Sequence, residues 1–194
     1  MSATIERREP AAHLPGETGV WVFIMGDMLM FAAFFVTFMY YRAADEALYA
    51  ESQRTLNQHL GVLNTFLMLT SSWFVASAMR AARADLPDLV RRLVVGAFLC
   101  GLGFVAVKFF EYREKILAGF TLTTNDFYMY YYVFTGLHLM HVLLGMGVLA
   151  WMRRVARGPS LDADGVNALE SGASFWHMVD ILWIVLFALL YLVK

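Results

Sequence analysis

The chain has 194 residues, of which 60% are hydrophobic, 15% aromatic and only 16% charged, with a formal net charge of −1. Soluble domains carry about 25% charged and about 45–50% apolar residues, so this composition favours a membrane protein over a soluble globular one. The low net charge argues against nucleic-acid binding, which needs a concentrated basic face, and the single cysteine, Cys100, excludes an intrachain disulfide, a four-cysteine metal site and a c-type haem attachment motif.

Five apolar runs long enough to cross a bilayer follow one another along the chain. A helix needs about 20 apolar residues to cross a hydrocarbon layer roughly 30 Å thick. Charged or turn-forming residues separate the runs, and the connections are too short for an extramembrane domain. The sequence therefore predicts an all-α bundle of five transmembrane helices over residues 20–194, preceded by a polar segment at residues 1–19. The spans are predicted at residues 20–41, 60–79, 93–112, 127–151 and 172–193.

The orientation of this bundle follows from its basic residues. The first 19 residues contain no apolar stretch, so we expect no cleavable signal peptide and expect the first span to direct insertion. Lysine and arginine are more frequent on the side of the N-terminus, and the positive-inside rule then predicts a cytoplasmic N-terminus and an external C-terminus. The residues on the first side are Arg7, Arg8, Arg80, Arg83, Arg91, Arg92, Arg153, Arg154 and Arg157, and those on the second are Arg42, Arg54, Arg113, Lys115 and Lys194.

Ionisable side chains lie inside the predicted spans, where an acidic or basic group costs about 2.5–3.5 kcal/mol to insert. Counting depth along each span places Asp27, His141 and Asp180 at nearly the same level, with His177 about one turn away. We therefore predict a buried polar cluster, which joins the first, fourth and fifth spans and consists of Asp27, His138, His141, His177 and Asp180.

Three interpretations of this cluster remain open from the residues alone. The groups could satisfy one another and fix the register of the helices. They could form a protonatable relay or a lipid-headgroup site, because desolvation favours the protonated form of a carboxyl. They could also ligate a haem, with His138 and His141 on one helix face and His177 on the other side of the macrocycle.

A second polar pair, Lys108 and Glu111, lies near the outer end of the third span. The two residues are three apart and share a helix face, so we expect an ion pair whose charged groups snorkel toward the interface. The aromatic run at residues 127–132 predicts an interfacial belt where the fourth span begins.

Several segments resemble the heme–copper oxidase subunit III family over residues 16–194. The segment GETGVWVFIMGDMLMFAAFF resembles the family's third helix, which carries an acidic residue at the position of Asp27. The segments LNTFLMLTSSW, KFFEY, TGLHLMHVLLG and WHMVDILWIVLFALLY are similar to its four last helices in order and spacing. The resemblance covers the last five of the family's seven helices and leaves out the two-helix bundle that borders the family's lipid-holding cleft. This short form most resembles the branch associated with nitric oxide reductases.

The resemblance implies a non-catalytic subunit that holds no haem, copper or other metal and packs against a haem-bearing catalytic subunit of an oxidase or a nitric oxide reductase. It implies residence in the bacterial cytoplasmic membrane, with membrane lipid as a further partner and phospholipid as a candidate ligand. A haem b-binding membrane anchor that uses His138, His141 and His177 is the main alternative. A proton-coupled transporter is disfavoured, because the sequence has no paired helix breaks and no inverted repeat.

Overall fold

The computed structural model describes residues 16–193, so most of the predicted polar segment and the basic residues Arg7, Arg8 and Lys194 lie outside the described residues. Within residues 16–193 the chain is helical and contains no strand. The helices are α1 (Thr18–Ala44), α2 (Glu46–Arg54), α3 (Gln58–Arg83), α4 (Pro87–Leu117), α5 (Asp126–Val155) and α6 (Ala163–Phe187), and a π-helical turn (Ala188–Leu192) continues α6.

Five of these helices are long and apolar enough to cross a membrane, which confirms the predicted fold class. All five are longer than the apolar runs, because polar residues extend each helix beyond the hydrocarbon layer. The largest difference is in α6, which begins at Ala163 rather than near residue 172. The segment ADGVNALE at its start is too polar for a span but is compatible with a helix.

The short helix α2 was not predicted. It is only nine residues long and is polar, so a search for apolar runs passes over it. Asp45 ends α1 and begins α2, where its side chain accepts a hydrogen bond from the Leu48 amide. On the buried face of α2, Tyr49 packs edge-on against Phe38 and Phe127, with ring centroids 5.5 and 5.8 Å apart. Helix α2 therefore joins α1 to the start of α5 through aromatic contacts.

Side chains at the connections define where the long helices begin. Asn57 accepts hydrogen bonds from the first amides of α3, Asn125 does so for α5, and Asp162 does so for α6. Pro87 occupies the first turn of α4, where its missing N–H costs nothing. These residues therefore fix where α3, α4, α5 and α6 begin.

The five long helices are unequally buried. In the most apolar stretch of α6, half of the residues are buried inside the bundle. In the corresponding stretch of α1, only 22% are buried. Helix α6 packs on α3 and α5, and α4 packs on α3 and α5, so these four helices form the centre of the bundle. Helix α1 lies at its edge, and most of its apolar surface is left for lipid or another protein.

The two ends of the bundle differ in their charge. The α3–α4 and α5–α6 connections lie at one end, together with the start of α1, and we call this the arginine-rich end because Arg80 to Arg92 and Arg153 to Arg157 gather there. The opposite end carries α2, the α4–α5 connection and the π-helical turn. The described residues thus keep the unequal charge distribution on which the predicted orientation rests.

Candidate functional site

The five residues predicted as one polar cluster lie in three separate places. Asp27 and His141 form a pair, His177 and Asp180 gather around a serine of α3, and His138 lies by itself among aromatic rings. The prediction of a single cluster is therefore corrected. Depth counting gives the level of a residue in the membrane, but it does not give the direction in which each helix turns its side chains.

Asp27 and His141 connect the peripheral helix α1 to the central helix α5. His141 Nε2 lies 3.2 Å from Asp27 Oδ1, and both side chains are buried. The other ring nitrogen, Nδ1, lies 2.8 Å from the Leu137 carbonyl oxygen, one turn earlier on α5. Phe31 covers the imidazole edge-on, with a centroid separation of 5.7 Å. The imidazole is therefore held on both sides by protein.

The hydrogen bonds of His141 determine where protons lie in this pair. A carbonyl oxygen can only accept, so His141 Nδ1 carries a hydrogen and donates it to Leu137. Nε2 then faces the Asp27 carboxyl across the second hydrogen bond. This mutual contact reduces the cost of burying the two polar groups in the bundle.

We expect Asp27→Leu to lower the free energy of unfolding by about 1–3 kcal/mol, because it leaves His141 Nε2 buried without a partner. We expect Asp27→Asn to have a smaller effect, because its amide can donate to Nε2 of a neutral imidazole. Chemical unfolding of the purified chain in detergent measures both values. Equal losses in the two variants would contradict this account, because they would show that the carboxyl itself is required.

His177 and Asp180 lie on one face of α6 and share Ser72 of α3. The Ser72 hydroxyl is 2.8 Å from His177 Nδ1 and lies close to the Asp180 side chain. Asp180 is buried, and its Oδ1 has no hydrogen-bond partner. These contacts tie α6 to α3, which is not adjacent to it in sequence.

His138 is fully buried and both of its ring nitrogens lack a hydrogen-bond partner. Its ring packs against Phe104 at 5.4 Å and against Trp183 at 5.3 Å between centroids. The Trp183 indole in turn donates a hydrogen bond to Thr65 Oγ1 at 3.1 Å. His138 therefore fills space between α4 and α6 and is separated from the Asp27 pair.

Lys108 and Glu111 form a fully buried polar network near the end of the bundle that carries α2. Lys108 Nζ donates to Glu111 Oε2 at 2.9 Å and to the Tyr191 hydroxyl at 3.1 Å. Glu111 Oε1 accepts from the Tyr131 hydroxyl at 2.9 Å and also from the Tyr191 hydroxyl. Each carboxylate oxygen of Glu111 thus has a donor, and the network joins α4, α5 and the π-helical turn.

The expectation that Lys108 snorkels toward the interface is wrong, because its side chain is 0% exposed. Aromatic faces surround its ammonium group, with Trp183 at 4.8 Å and Tyr131 and Tyr191 each at 5.5 Å from Nζ to the ring centroid. A desolvated ammonium is attracted to such faces. The rings and Glu111 together replace the water that snorkelling would have supplied.

Sequence reasoning missed the tyrosines and the tryptophan of this network. Tyr131 falls in the aromatic run that was interpreted as an interfacial belt, and Tyr191 ends a segment that reads as apolar. Tyr131 and Tyr191 are both buried, and both hydroxyls donate to a carboxylate. The sequence did contain a signal for these partners. A buried lysine and glutamate need further hydrogen-bond partners, and nearby tyrosine hydroxyls can supply them.

The three histidines proposed for haem ligation are not arranged around a common space. His141 uses both ring nitrogens in bonds to protein, and His177 uses Nδ1 in its bond to Ser72. His138 is enclosed by two aromatic rings. Among residues 16–193, no group of three or more histidine, cysteine, aspartate or glutamate side chains is placed to hold a metal ion.

Comparisons with known proteins give a consistent result over nearly the whole chain. The family model described as cytochrome c oxidase subunit III matches residues 15–194. A cytochrome c oxidase subunit 3 of Synechocystis is 30% identical over 176 residues, which are 90% of this chain and 74% of the relative. A probable quinol oxidase subunit 3 of Staphylococcus saprophyticus is 25% identical over 192 residues, covering 98% of this chain and 94% of the relative.

A third relative is much longer than this chain. It is a heme-copper oxidase subunit I+III of Aeropyrum pernix, 25% identical over 183 residues. The match covers 91% of this chain but only 22% of the relative. This chain therefore corresponds to one part of that longer polypeptide.

Proposed function

The chain belongs to the cytochrome c oxidase subunit III family, and from this premise we propose that it is a non-catalytic membrane subunit that packs against the haem-bearing catalytic subunit of a respiratory heme–copper enzyme. In this role it stabilises the catalytic subunit or supports its assembly. Its place is the bacterial cytoplasmic membrane, with the arginine-rich end in the cytoplasm, as the positive-inside rule requires.

The main support for a catalytic partner comes from the relative in Aeropyrum pernix. Its name joins a subunit I and a subunit III in one polypeptide, and this chain matches only a part of it. Two parts of one polypeptide occur in equal amounts and remain close to each other. We therefore propose a separate subunit I as the partner of this chain.

The identity of the enzyme is a finer question. Two of the relatives described above are named as subunit 3 of a quinol oxidase and subunit 3 of a cytochrome c oxidase. The short five-helix form, with its GDMLMF and LTSSWF segments, resembles the nitric oxide reductase branch and makes such a reductase the second candidate. The two candidates differ in the acceptor that the complex reduces, which is oxygen in one case and nitric oxide in the other.

The buried polar residues support a structural role for the chain itself. Asp27, Lys108 and Glu111 each have partners on their own or neighbouring helices. His141 directs both ring nitrogens at protein groups and His177 directs Nδ1 at Ser72. The ring of His138 is enclosed by Phe104 and Trp183. For these reasons we propose that the haem of the complex belongs to the partner and that this chain binds none.

Deletion of the gene tests the proposed function. In isolated membranes we expect a loss of oxygen reduction or of nitric oxide reduction, but not of both, together with a lower amount of the corresponding haem-bearing subunit. Complementation with the wild-type gene should restore both the rate and the amount. Unchanged rates and unchanged enzyme levels for both acceptors would contradict the proposal.

A further inference from the structure

A groove lies between α4 and α5 at the arginine-rich end, separate from the polar sites described above. It encloses about 270 Å³. Its walls are apolar, with Val95 and Phe98 on α4 and Leu149 and Ala150 on α5. This volume is too small for a whole phospholipid, but it suits the part of a lipid where an acyl chain meets the headgroup.

Three arginines border the mouth of this groove. Arg153 and Arg154 follow Ala150 at spacings of three and four residues, so these three residues share one face of α5, and Arg157 lies in the turn that follows the end of this helix at Val155. The three side chains are exposed, and among the described residues none of them has a hydrogen-bond or ion-pair partner. The groove thus changes from apolar walls to unpaired positive charge within two helical turns.

The neighbouring cation on α4 is already used within the protein. Arg91 donates to the Ala156 carbonyl oxygen at 3.0 Å and pairs with Asp88. Arg91 therefore satisfies a carbonyl at the end of α5, and Asp88 is occupied by Arg91. The acidic residue nearest the groove along α4 is thus engaged elsewhere, and the guanidinium groups of Arg153, Arg154 and Arg157 have no anionic partner among the described residues.

We propose that this groove binds an anionic phospholipid, with its phosphate between Arg153, Arg154 and Arg157 and the start of one acyl chain along Phe98 and Ala150. The order of the residues along α5 matches the order of the groups in a lipid leaflet, apolar first and phosphate second. Planar guanidinium groups match phosphate oxygens in pairs. Basic pockets between transmembrane helices bind anionic headgroups in this way.

This site differs from the lipid-holding cleft that the family resemblance implies. That cleft borders a two-helix bundle outside the resemblance, whereas this groove is formed entirely by two helices of the present bundle. It is also distinct from the earlier idea of a headgroup site at Asp27, whose carboxylate faces His141.

The same arginines also help to orient the chain in the membrane, according to the positive-inside rule. An experiment in detergent has no membrane and therefore measures lipid binding separately from orientation. The purified full-length chain is titrated with phosphatidylglycerol or phosphatidylcholine, and bound lipid is counted by native mass spectrometry. We expect phosphatidylglycerol to bind more tightly. We expect R153Q/R157Q to weaken its binding about 25-fold, at about fivefold for each arginine near a headgroup.

Matched variants test the groove as well as the charge. R80Q/R92Q removes two exposed arginines from the same end outside the groove and should leave binding unchanged. Ala150→Phe fills the groove without altering charge and should weaken binding, whereas Leu144→Phe on the exposed face of α5 should not. Equal losses in the two double variants, or no loss in Ala150→Phe, would overturn the site and leave only surface charge.

The source of the phosphate is tested in the same measurement. Inorganic phosphate added at the concentration of the lipid should not displace phosphatidylglycerol, because it gains nothing from the apolar walls. Displacement would show a site for free phosphate and overturn the lipid assignment. The complex purified from native membranes should retain phosphatidylglycerol, and its absence there would overturn the lipid assignment.

Discussion

Glu111→Leu is expected to lower the free energy of unfolding by about 3–5 kcal/mol, because it leaves the Lys108 ammonium buried without its counter-ion. The hydroxyls of Tyr131 and Tyr191 lose their acceptor in the same step. Hydrogen bonds between membrane helices are typically worth only about 0.6 kcal/mol each. The unpaired charge, rather than the lost hydrogen bonds, therefore accounts for most of the expected effect.

The double variant K108M/E111L is the control for this prediction. It removes both charges and replaces them with apolar side chains, so we expect it to recover most of the stability lost in Glu111→Leu. Chemical unfolding of the three purified proteins in one detergent measures the difference. If the double variant is as unstable as the single one, the unpaired charge of Lys108 does not cause the loss of stability, and this explanation of the Glu111→Leu effect is wrong.

Gly145→Ala is expected to lower the free energy of unfolding by about 1–3 kcal/mol through overpacking. A Cβ atom at Gly145 would lie 2.6 Å from the Trp176 ring, closer than real contacts allow. The indole cannot move aside easily, because Trp176 is fully buried and Gly101 of α4 packs closely against the neighbouring Cη2 atom of the same ring. The loss should exceed the gain of up to about 1 kcal/mol that alanine brings to a helix.

Gly147→Ala provides the matched comparison on the same helix. No atom lies within 4 Å of a Cβ built at Gly147, so we expect an unchanged or slightly higher stability. Thermal unfolding of both variants, followed by circular dichroism, distinguishes them. Equal destabilisation of the two would show that glycine is needed for helix flexibility rather than for the approach of α5 to Trp176.

The five spans could be predicted from the sequence because their cause is local. A run of about 20 apolar residues must form a helix in a bilayer, whatever its neighbours are. The same reasoning fails for α2, which is stabilised by the Asp45 cap and by the packing of Tyr49 against distant rings rather than by its own hydropathy. Polar extensions such as the start of α6 are missed for a similar reason.

The partners of the buried polar residues could be predicted only in part. The spacing of Lys108 and Glu111 indicates a pair, because residues three apart share a helix face. The predicted cluster included the pair of Asp27 and His141. The sequence did not predict that His138 and His177 lie apart from this pair. Which residues of two helices face each other depends on helix rotation, and rotation is set by packing of the whole bundle.

Purification of the tagged chain from membranes of cells that express it at its natural level tests the central claim most directly. The measurement is the identity of the co-purifying polypeptide and the ratio of haem to chain before and after the two polypeptides are separated. We predict a haem-bearing polypeptide in a one-to-one ratio, with all haem absorbance following that partner. Recovery of the chain without such a partner, or a Soret band that stays with the isolated chain, would contradict the account.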